Sequence, residues 1–379
     1  MSIDQSNFFI SVNEPLLCGN EKKYLSECIE TGWISSDGPF VRRFELDFAA
    51  RISRKYGIAV TNGTAAIDLA IESLGIGHGD EVILPAFTII SCVLQIVRSG
   101  AIPVLIDSDK HTWNMDVNQI EAKITSRTKA IMVVHIYGLP VDMDPVMSLC
   151  TKYGLGLVED AAELIGQTYR GKPCGSFGDI STVSFYPNKH ITTGEGGMVL
   201  TNSEVIATQC RDLRNLCFKP DKRFVHDRLG WNLRMTNLQA AVGVAQLEQL
   251  DKFIEIKRRM GSLYNELLSN VQDIQLPLES TDYADNIYWV YGIVLDESLG
   301  IDADEMIKRM ASLGVGCRPF FYSLSQQPVL KKMGLFHEDK YPVSENLSKK
   351  GFYLPSGLAL TDFQIKRVAD TFIKALKKK

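Results

Sequence analysis

Five short, unbroken apolar runs constrain this chain most: Val82-Ile-Leu84, Val104-Leu-Ile106, Ala130-Ile-Met-Val-Val134, Gly156-Leu-Val158 and Thr182–Tyr186. Helical patterns at 88–98, 116–124 and 142–153 lie between the first four. Each run is too short for a helix and has no polar face to turn to water. Strands of that kind are covered on both sides, so the pattern predicts an α/β fold with a mainly parallel central sheet. Ligands of such sheets bind at the carboxyl ends of the strands, where functional residues are to be sought.

The chain has 379 residues, 45% of them hydrophobic, which allows two sizeable cores. We divide it into a large domain with an N-terminal arm, residues 1–249, and a smaller C-terminal α/β domain, residues 250–379. The first begins with a short apolar piece, Phe8–Val12, and helices over Asn20–Thr31, closed by Gly32, and Phe40–Tyr56. A strand at Gly57–Val60, a helix at Ala65–Leu74, a hairpin strand at Gly196–Thr201, a helix through Arg214 and one long helix from Thr236 to about Leu263 complete it. The second has strands near Ile287–Leu295 and Gly316–Phe320, with helices near Ala303–Leu313, Val343–Gly351 and Thr361–Lys377. The glycine run Gly75–Gly79 precedes its strand instead of following it, which excludes a dinucleotide fingerprint.

A net charge of −4, with Lys and Arg scattered, leaves no footprint for nucleic acid or an anionic membrane. Lys377–Lys379 reads as a solvated tail. The eight cysteines form no CxxC pair and no histidine stands at ligand spacing, so no metal site is expected and the thiols read as reduced. Met1–Asn7 lacks a charged-then-apolar leader, and no apolar run reaches the ~18 residues that span a bilayer. The expected location is the cytoplasm.

Candidate chemistry gathers around Lys189. It follows the apolar run Ile180–Tyr186 and precedes Gly194-Glu-Gly-Gly197, which places its amine at a strand end. Asp160 ends another apolar strand, 29 residues before Lys189, and would point into the same crevice. In Asp160-Ala-Ala-Glu163 two readings stand level on the residues alone: a carboxylate facing a ligand, or the N-cap of a helix with a capping box. Thr61-Asn-Gly-Thr64 opens a helix, where the N–H groups of Gly63 and Thr64 and the helix dipole suit a phosphate monoester. Such residues are also ordinary turn and cap chemistry. His135 reads as a satisfied core histidine.

Taken in order, Asn62-Gly-Thr64, Glu159-Asp-Ala-Ala-Glu163 and Ser184-x4-Lys189-x4-Gly194-Glu-Gly-Gly197 resemble the motifs of the DegT/DnrJ/EryC1/StrS sugar aminotransferases. The likeness runs from about residue 10 to 375. It implies the aspartate aminotransferase-like fold (fold type I) and pyridoxal 5′-phosphate (PLP) as cofactor. By resemblance Lys189 is the catalytic Schiff-base lysine, Asp160 faces the ring nitrogen, Glu163 lies near the ring hydroxyl and Ile89 packs against the ring. Gly63, Thr64 and Ser184 hold the phosphate, joined by Asn232, which in the family reaches across a dimer interface into the site of the partner subunit. Arg234 is a candidate for the donor's carboxylate, with a surface salt bridge an equal alternative. Ser36 and Arg318 fall to the sugar. The implied partners are glutamate as amino donor, a keto sugar as acceptor and a second copy of the chain, as a homodimer or a dimer of dimers.

Trp33-Ile-Ser-Ser36, Thr192-Thr-Gly-Glu-Gly-Gly-Met198 and Arg318-Pro-Phe-Phe-Tyr322 look most like the perosamine-synthase branch. That branch implies GDP-4-keto-6-deoxymannose as acceptor, for cell-surface polysaccharide such as lipopolysaccharide O-antigen. Two positions depart: Ile89 stands where the family has a stacking aromatic, and Ser325 where it often has histidine. No basic cluster marks a diphosphate site, which leaves an 8-oxo octulosonic acid as an alternative acceptor. Some relatives with histidine in place of the lysine dehydrate sugars, and His190 adjoins Lys189. Counting back from Gly194 puts Lys189 in the Schiff-base position. A non-catalytic regulator of the same fold is the other alternative.

Overall fold

The computed structural model describes residues 9–219, 221–337 and 339–377. Phe8 of the first apolar piece, Met1–Asn7 and the last two lysines of the expected tail lie outside the described residues. Helices α1 (Glu21–Thr31) and α2 (Pro39–Arg51) lead to β1 (Tyr56–Val60), α3 (Gly63–Ser73), β2 (Glu81–Pro85), α4 (Ser91–Arg98), β3 (Ile102–Ile106), β4 (Thr128–Val134), α5 (Met143–Tyr153) and β5 (Gly156–Asp160). A small hairpin, β6 (Thr168–Tyr169) and β7 (Lys172–Pro173), precedes β8 (Ile180–Ser184), β9 (Gly197–Thr201), α6 (Glu204–Arg214) and α7 (Asn237–Leu247). The last third holds α8 (Leu250–Leu268), β10 (Ile274–Gln275), β11 (Tyr291–Leu295), α9 (Ala303–Ser312), β12 (Arg318–Pro319), α10 (Pro328–Lys332), α11 (Pro342–Lys350), β13 (Gly351–Leu354) and α12 (Asp362–Leu376).

All five apolar runs lie in one sheet of order β1-β9-β8-β5-β4-β2-β3. The pairs from β8 to β3 are parallel, and β9 runs against both its neighbours. Being antiparallel to β9, β1 points the same way as β8. The carboxyl ends of β1, β8, β5, β4 and β2 therefore gather at one edge, together with the start of β9. Successive residues alternate between two cores: Ile83, Ile131 and Val133 face one, Val82, Leu84 and Met132 the other. That is the two-residue period of a strand buried on both faces.

Three expected helices differ, the first only in that Phe40–Tyr56 stops at Arg51 and Tyr56 already belongs to β1. Residues 116–124 form two 3-10 turns, Val117–Gln119 and Glu121–Lys123. Asp116 draws in the side chains of Asn118 and Gln119 and caps the first turn, so local polar bonds replace a propagating helix. The long helix from Thr236 starts with the capping box of Thr236 and Gln239, then breaks at Gln249 (φ −106°, ψ 2°). Before the break α7 packs on α1 and α2; beyond it α8 packs on α12. Glu248, at the bend, accepts hydrogen bonds from Asn20, Tyr24 and Arg43. Tertiary partners in two directions, with no local breaker, set the bend.

The C-terminal third forms an antiparallel sheet, β10-β11-β13-β12, on a third core that includes Met260, Tyr264, Met306 and Phe372. β13 was not anticipated, because Gly351 both ends α11 and starts the strand. Trp289, Phe320 and Tyr353 belong to the second core of the main sheet, so the two parts share packing. Among the described residues no helix is long and apolar enough to cross a membrane.

Lys257 on α8 is buried, and its amine donates to the carbonyl of Trp289 at 2.9 Å and to that of Ser356. Burial, and after it the charge of Lys189, pushes this amine down to about 7. The unfolded chain binds the proton below about 10.4, whereas the folded chain does so only below about 7, so stability rises with pH across that window. Urea melts of the wild type and of Lys257→Met should show a stability difference that shifts toward the wild type from pH 7 to 10, by at most about 1.4 kcal/mol per pH unit. A pH-independent difference would show that this amine titrates normally.

Candidate active site

At the carboxyl edge of the main sheet lies a cavity of about 340 Å³, lined by residues of the β1–α3, β2–α4 and β8–β9 connections, the end of β5, and Trp289, Arg318, Phe321 and Tyr353. Lys189 sits in the β8–β9 link. Its backbone N–H donates to the Tyr186 carbonyl, Phe185 N–H to Gly196, and Thr193 N–H and the Thr192 hydroxyl both to Phe185. The link is thus pinned at both ends, and only 10% of the lysine side chain is exposed. Its Nζ lies 3.9 Å from Glu163 Oε1 and 3.7 Å from the centre of the Trp289 ring.

Asp160 is the last residue of β5, one strand over from β8. Its Oδ1 accepts from Ala162 N–H at 3.1 Å and its Oδ2 from the Cys92 thiol at 3.5 Å. Turns follow it, not a helix, so the N-cap alternative falls. Glu163 Oε2 accepts from Tyr137 N–H at 2.8 Å, and Tyr137 adopts a left-handed backbone (φ 54°) there. Burial raises Asp160, and raises Glu163 to about 8; the nearby Lys189 charge opposes both shifts. Burial also lowers Lys189, against the two carboxyls. The three groups titrate as a set that holds less charge than it would in water. A neutral amine is the nucleophilic form of lysine.

Another part of the cavity wall is built for an anion. At α3 the Asn62 side chain accepts from Ala65 N–H at 2.9 Å and its carbonyl from Ala66 N–H. The N–H groups of Gly63 and Thr64, residues that line the cavity, have no intrahelical acceptor. Thr64 Oγ1 and Ser91 Oγ are 2.8 Å apart beside them. A Cβ on Gly63 would lie 2.8 Å from Cβ of Ser184, and one on Gly197 2.5 Å from the Asn62 carbonyl oxygen. The glycines leave a close-packed cradle between α3 and β8 that side chains would fill, at a helix N-terminus that favours negative charge.

Of the residues singled out in the sequence, the cavity gathers Gly63, Thr64, Ile89, His135, Asp160, Glu163, Ser184, Lys189 and Arg318. Asn232, Arg234 and Ser36 are not in its lining. Asn232 bridges to Asn215 and Arg234 to Val60, and Arg234 Nη1 donates to Asn215 Oδ1 at 2.6 Å, an amide and not a carboxylate. Ser36 lies in a separate depression with Arg42, Lys55 and Arg211. His135 borders the cavity but is buried and has both ring nitrogens engaged, accepting from Val141 N–H and bonded to Glu159 at 3.1 Å. Sequence reasoning passed over Ser91, Cys92 and Trp289. The first two had a signal, a polar pair opening α4 after a strand end; Trp289 had none, since its place depends on how the last third packs.

A main sheet that presents a buried lysine and two buried carboxyls at its carboxyl edge defines a lysine-dependent enzyme of the aspartate aminotransferase-like class. The model of the DegT/DnrJ/EryC1/StrS aminotransferase family matches residues 16–373, and the chain belongs to that family. It is 42% identical over 361 residues to a GDP-perosamine synthase of Vibrio cholerae, covering 95% of this chain and 97% of that one. A GDP-perosamine synthase of Caulobacter vibrioides is 42% identical over 359 residues, covering 95% and 96%. Among solved structures the aminotransferase TlmJ from Streptoalloteichus hindustanus superposes with a TM-score of 0.89 at 29% identity, over 97% of this chain and 99% of that one. Helicobacter pylori PseC, at 21% identity and a TM-score of 0.91 over 97% and 99%, shares the fold.

Because the Cβ of Gly197→Ala would meet backbone and not a flexible side chain, this substitution should lower stability by about 1–3 kcal/mol in urea unfolding. An unchanged midpoint would show that the cradle yields.

Proposed function

We propose that the chain is a PLP-dependent aminotransferase that moves an amino group from glutamate to a keto sugar. The observation that carries this reading is that Lys189 and two buried carboxyls line the same cavity as a glycine-lined helix N-terminus. An amine, a carboxyl for a ring nitrogen and an anion cradle fit the three reactive parts of the cofactor. When bound, PLP supplies an aldehyde that exchanges with amines and a protonated ring that withdraws electrons from the reacting carbon.

Asp160 keeps that ring nitrogen protonated, and Cys92 and Ala162 N–H hold its carboxylate in place. Gly63, Thr64 and Ser184 bind the phosphate, with Ser91 supporting Thr64. The Lys189 amine would hold the cofactor's aldehyde carbon, and when free its Nζ would take the proton from the donor's α-carbon and return it in the opposite half-reaction. Glu163 faces that amine at 3.9 Å. Arg318, in the cavity lining, binds the acceptor.

The acceptor is nucleotide-linked, as the names of the GDP-perosamine synthase relatives suggest, and the enzyme works in the cytoplasm on a sugar destined for cell-surface polysaccharide. An 8-oxo octulosonic acid is the second reading, favoured by a lining that holds Arg318 but no further arginine and no lysine besides Lys189 for a diphosphate. His190 is buried and does not line the cavity, which supports transamination over sugar dehydration. A homodimer completes the site: Trp33, Ile34, Phe224, Leu229 and Trp231 are exposed apolar side chains, and Asn232 adjoins the last of them. Asn232 then reaches the phosphate of the partner subunit's cofactor.

Purified protein given PLP should gain a visible absorbance band that glutamate bleaches. Lys189→Ala should stay folded, lose the band and lower turnover by about 10²–10⁴-fold or more. A variant that keeps its turnover would sink the assignment. Asp160→Asn should still bind the cofactor but turn over more slowly, since a neutral partner no longer holds the ring nitrogen charged. Offering GDP-4-keto-6-deoxymannose and an 8-oxo octulosonic acid separately, with amino-sugar formation read by mass spectrometry, decides between the acceptors.

A further inference from the structure

We propose that Trp289 is a positioning residue for the reaction: its indole face is where the Lys189 amine rests when not bonded to cofactor, aimed into the cavity between its two proton transfers. The inference rests on the aminotransferase reading above and adds a residue to it.

Lys189 Nζ lies 3.7 Å from the ring centre, and a cation over an indole is attracted more strongly when both are out of water. Trp289 is 3% exposed. Its Nε1–H donates to the carbonyl of Asn188 at 2.7 Å. One indole thus grips the lysine link by its edge, at the residue just before the lysine, and the amine by its face. The ring is fixed from behind as well, nearly parallel to Phe321 (21°, centroids 6.3 Å apart) and tilted on Tyr137 at 5.7 Å. Its backbone carbonyl accepts from Lys257.

The residue before it carries strain. Tyr288 has φ 49°, a left-handed backbone that bulky residues rarely adopt, held by a 2.7 Å bond from its N–H to Asn286 Oδ1. Strain of this kind persists only where surrounding contacts over-determine it, and here it sets the direction of the next side chain. The energetic role follows from the surroundings of the amine. Burial favours its neutral form, while the indole face and Glu163 favour the charged one. A group that takes a proton and gives it back works best with the two forms close in energy.

The test uses the full chain freed of cofactor. Acetylation of Lys189 by acetic anhydride, followed by mass spectrometry from pH 6 to 10, reads the protonation midpoint of that amine. Trp289→Leu should move the midpoint down by about one pH unit. Trp289→Tyr and Trp289→Phe keep a ring face and should shift it less. With PLP restored, Trp289→Leu should lower kcat about tenfold and leave KM for glutamate within about twofold.

Midpoints of all three variants within about 0.2 pH unit of the wild type would overturn the proposal, as would a shifted midpoint with unchanged kcat. Should the Leu variant not fold, Trp289→Met, which keeps bulk but has no ring face, takes its place under the same criteria. A wild type inert to glutamate would remove the aminotransferase reading and this role with it. An active wild type with an unmoved midpoint sinks only the role of Trp289.

Discussion

Keeping one amine and two carboxyl groups together out of water is the constraint on which the rest of this structure depends. Each group alone would shed its charge or be pulled toward solvent, and burial drives all three toward neutrality. Adjacent parallel strands bring them together, β5 ending at Asp160 and β8 leading into the lysine link, with Asp160 paired to Thr182. The reversal of β9 then returns the chain along β8, which closes the link and brings Gly197 beneath Asn62. One antiparallel strand in an otherwise parallel sheet therefore couples the amine to the anion cradle. A helix crossover at this point would carry the chain away from the edge instead.

The N-terminal arm and the last third tighten the same region. Ile10 pairs with the segment at Gly314–Gly316, Ser356 N–H donates to Val12, and the Asn13 amide donates to the carbonyl of Pro187, two residues before the lysine. Arg318, Phe321, Tyr353 and Trp289 enter the cavity from the opposite side. The lysine link is thus bonded to both the arm and the C-terminal sheet. The C-terminal part reaches the site by two routes, from Trp289 Nε1–H to the Asn188 carbonyl beside the lysine, and from Phe321 N–H to the Tyr137 hydroxyl, whose own backbone N–H donates to Glu163.

What was legible in the sequence was what local pattern controls. The five apolar runs became strands because continuous apolar residues admit burial on both faces, and α3 starts at Gly63 because Asn62 caps it. Lys189, Asp160 and Glu163 were legible as chemistry, but the residues left Asp160 between cap and ligand, and only the turn after it resolved that. The bend at Gln249 was not legible, because it comes from helices that α7 and α8 meet in different directions. Trp289 was hidden for the same reason: nothing in Asn286-Ile-Tyr-Trp289 says that its neighbour in space is a lysine a hundred residues earlier. Asn232, Arg234 and Ser36 were named from motif, and within one chain they remain outside the cavity.

His190 shows why the identity of a residue beside the lysine says little without its direction. It adjoins Lys189 in sequence yet is fully buried, with the Ile287 backbone as a polar neighbour and no hydrogen bond of ordinary geometry to either ring nitrogen among the described residues. Burial, then the charges of Lys257 and Lys189, push it down to about 3, so it carries no proton at neutral pH. What a histidine here does not do is add charge beside two buried amines. The chemistry attributed to histidine in dehydrating relatives requires a ring that faces the ligand, and in this chain the turn at Asn188 and Lys189 sends the amine, not the imidazole, to the cavity.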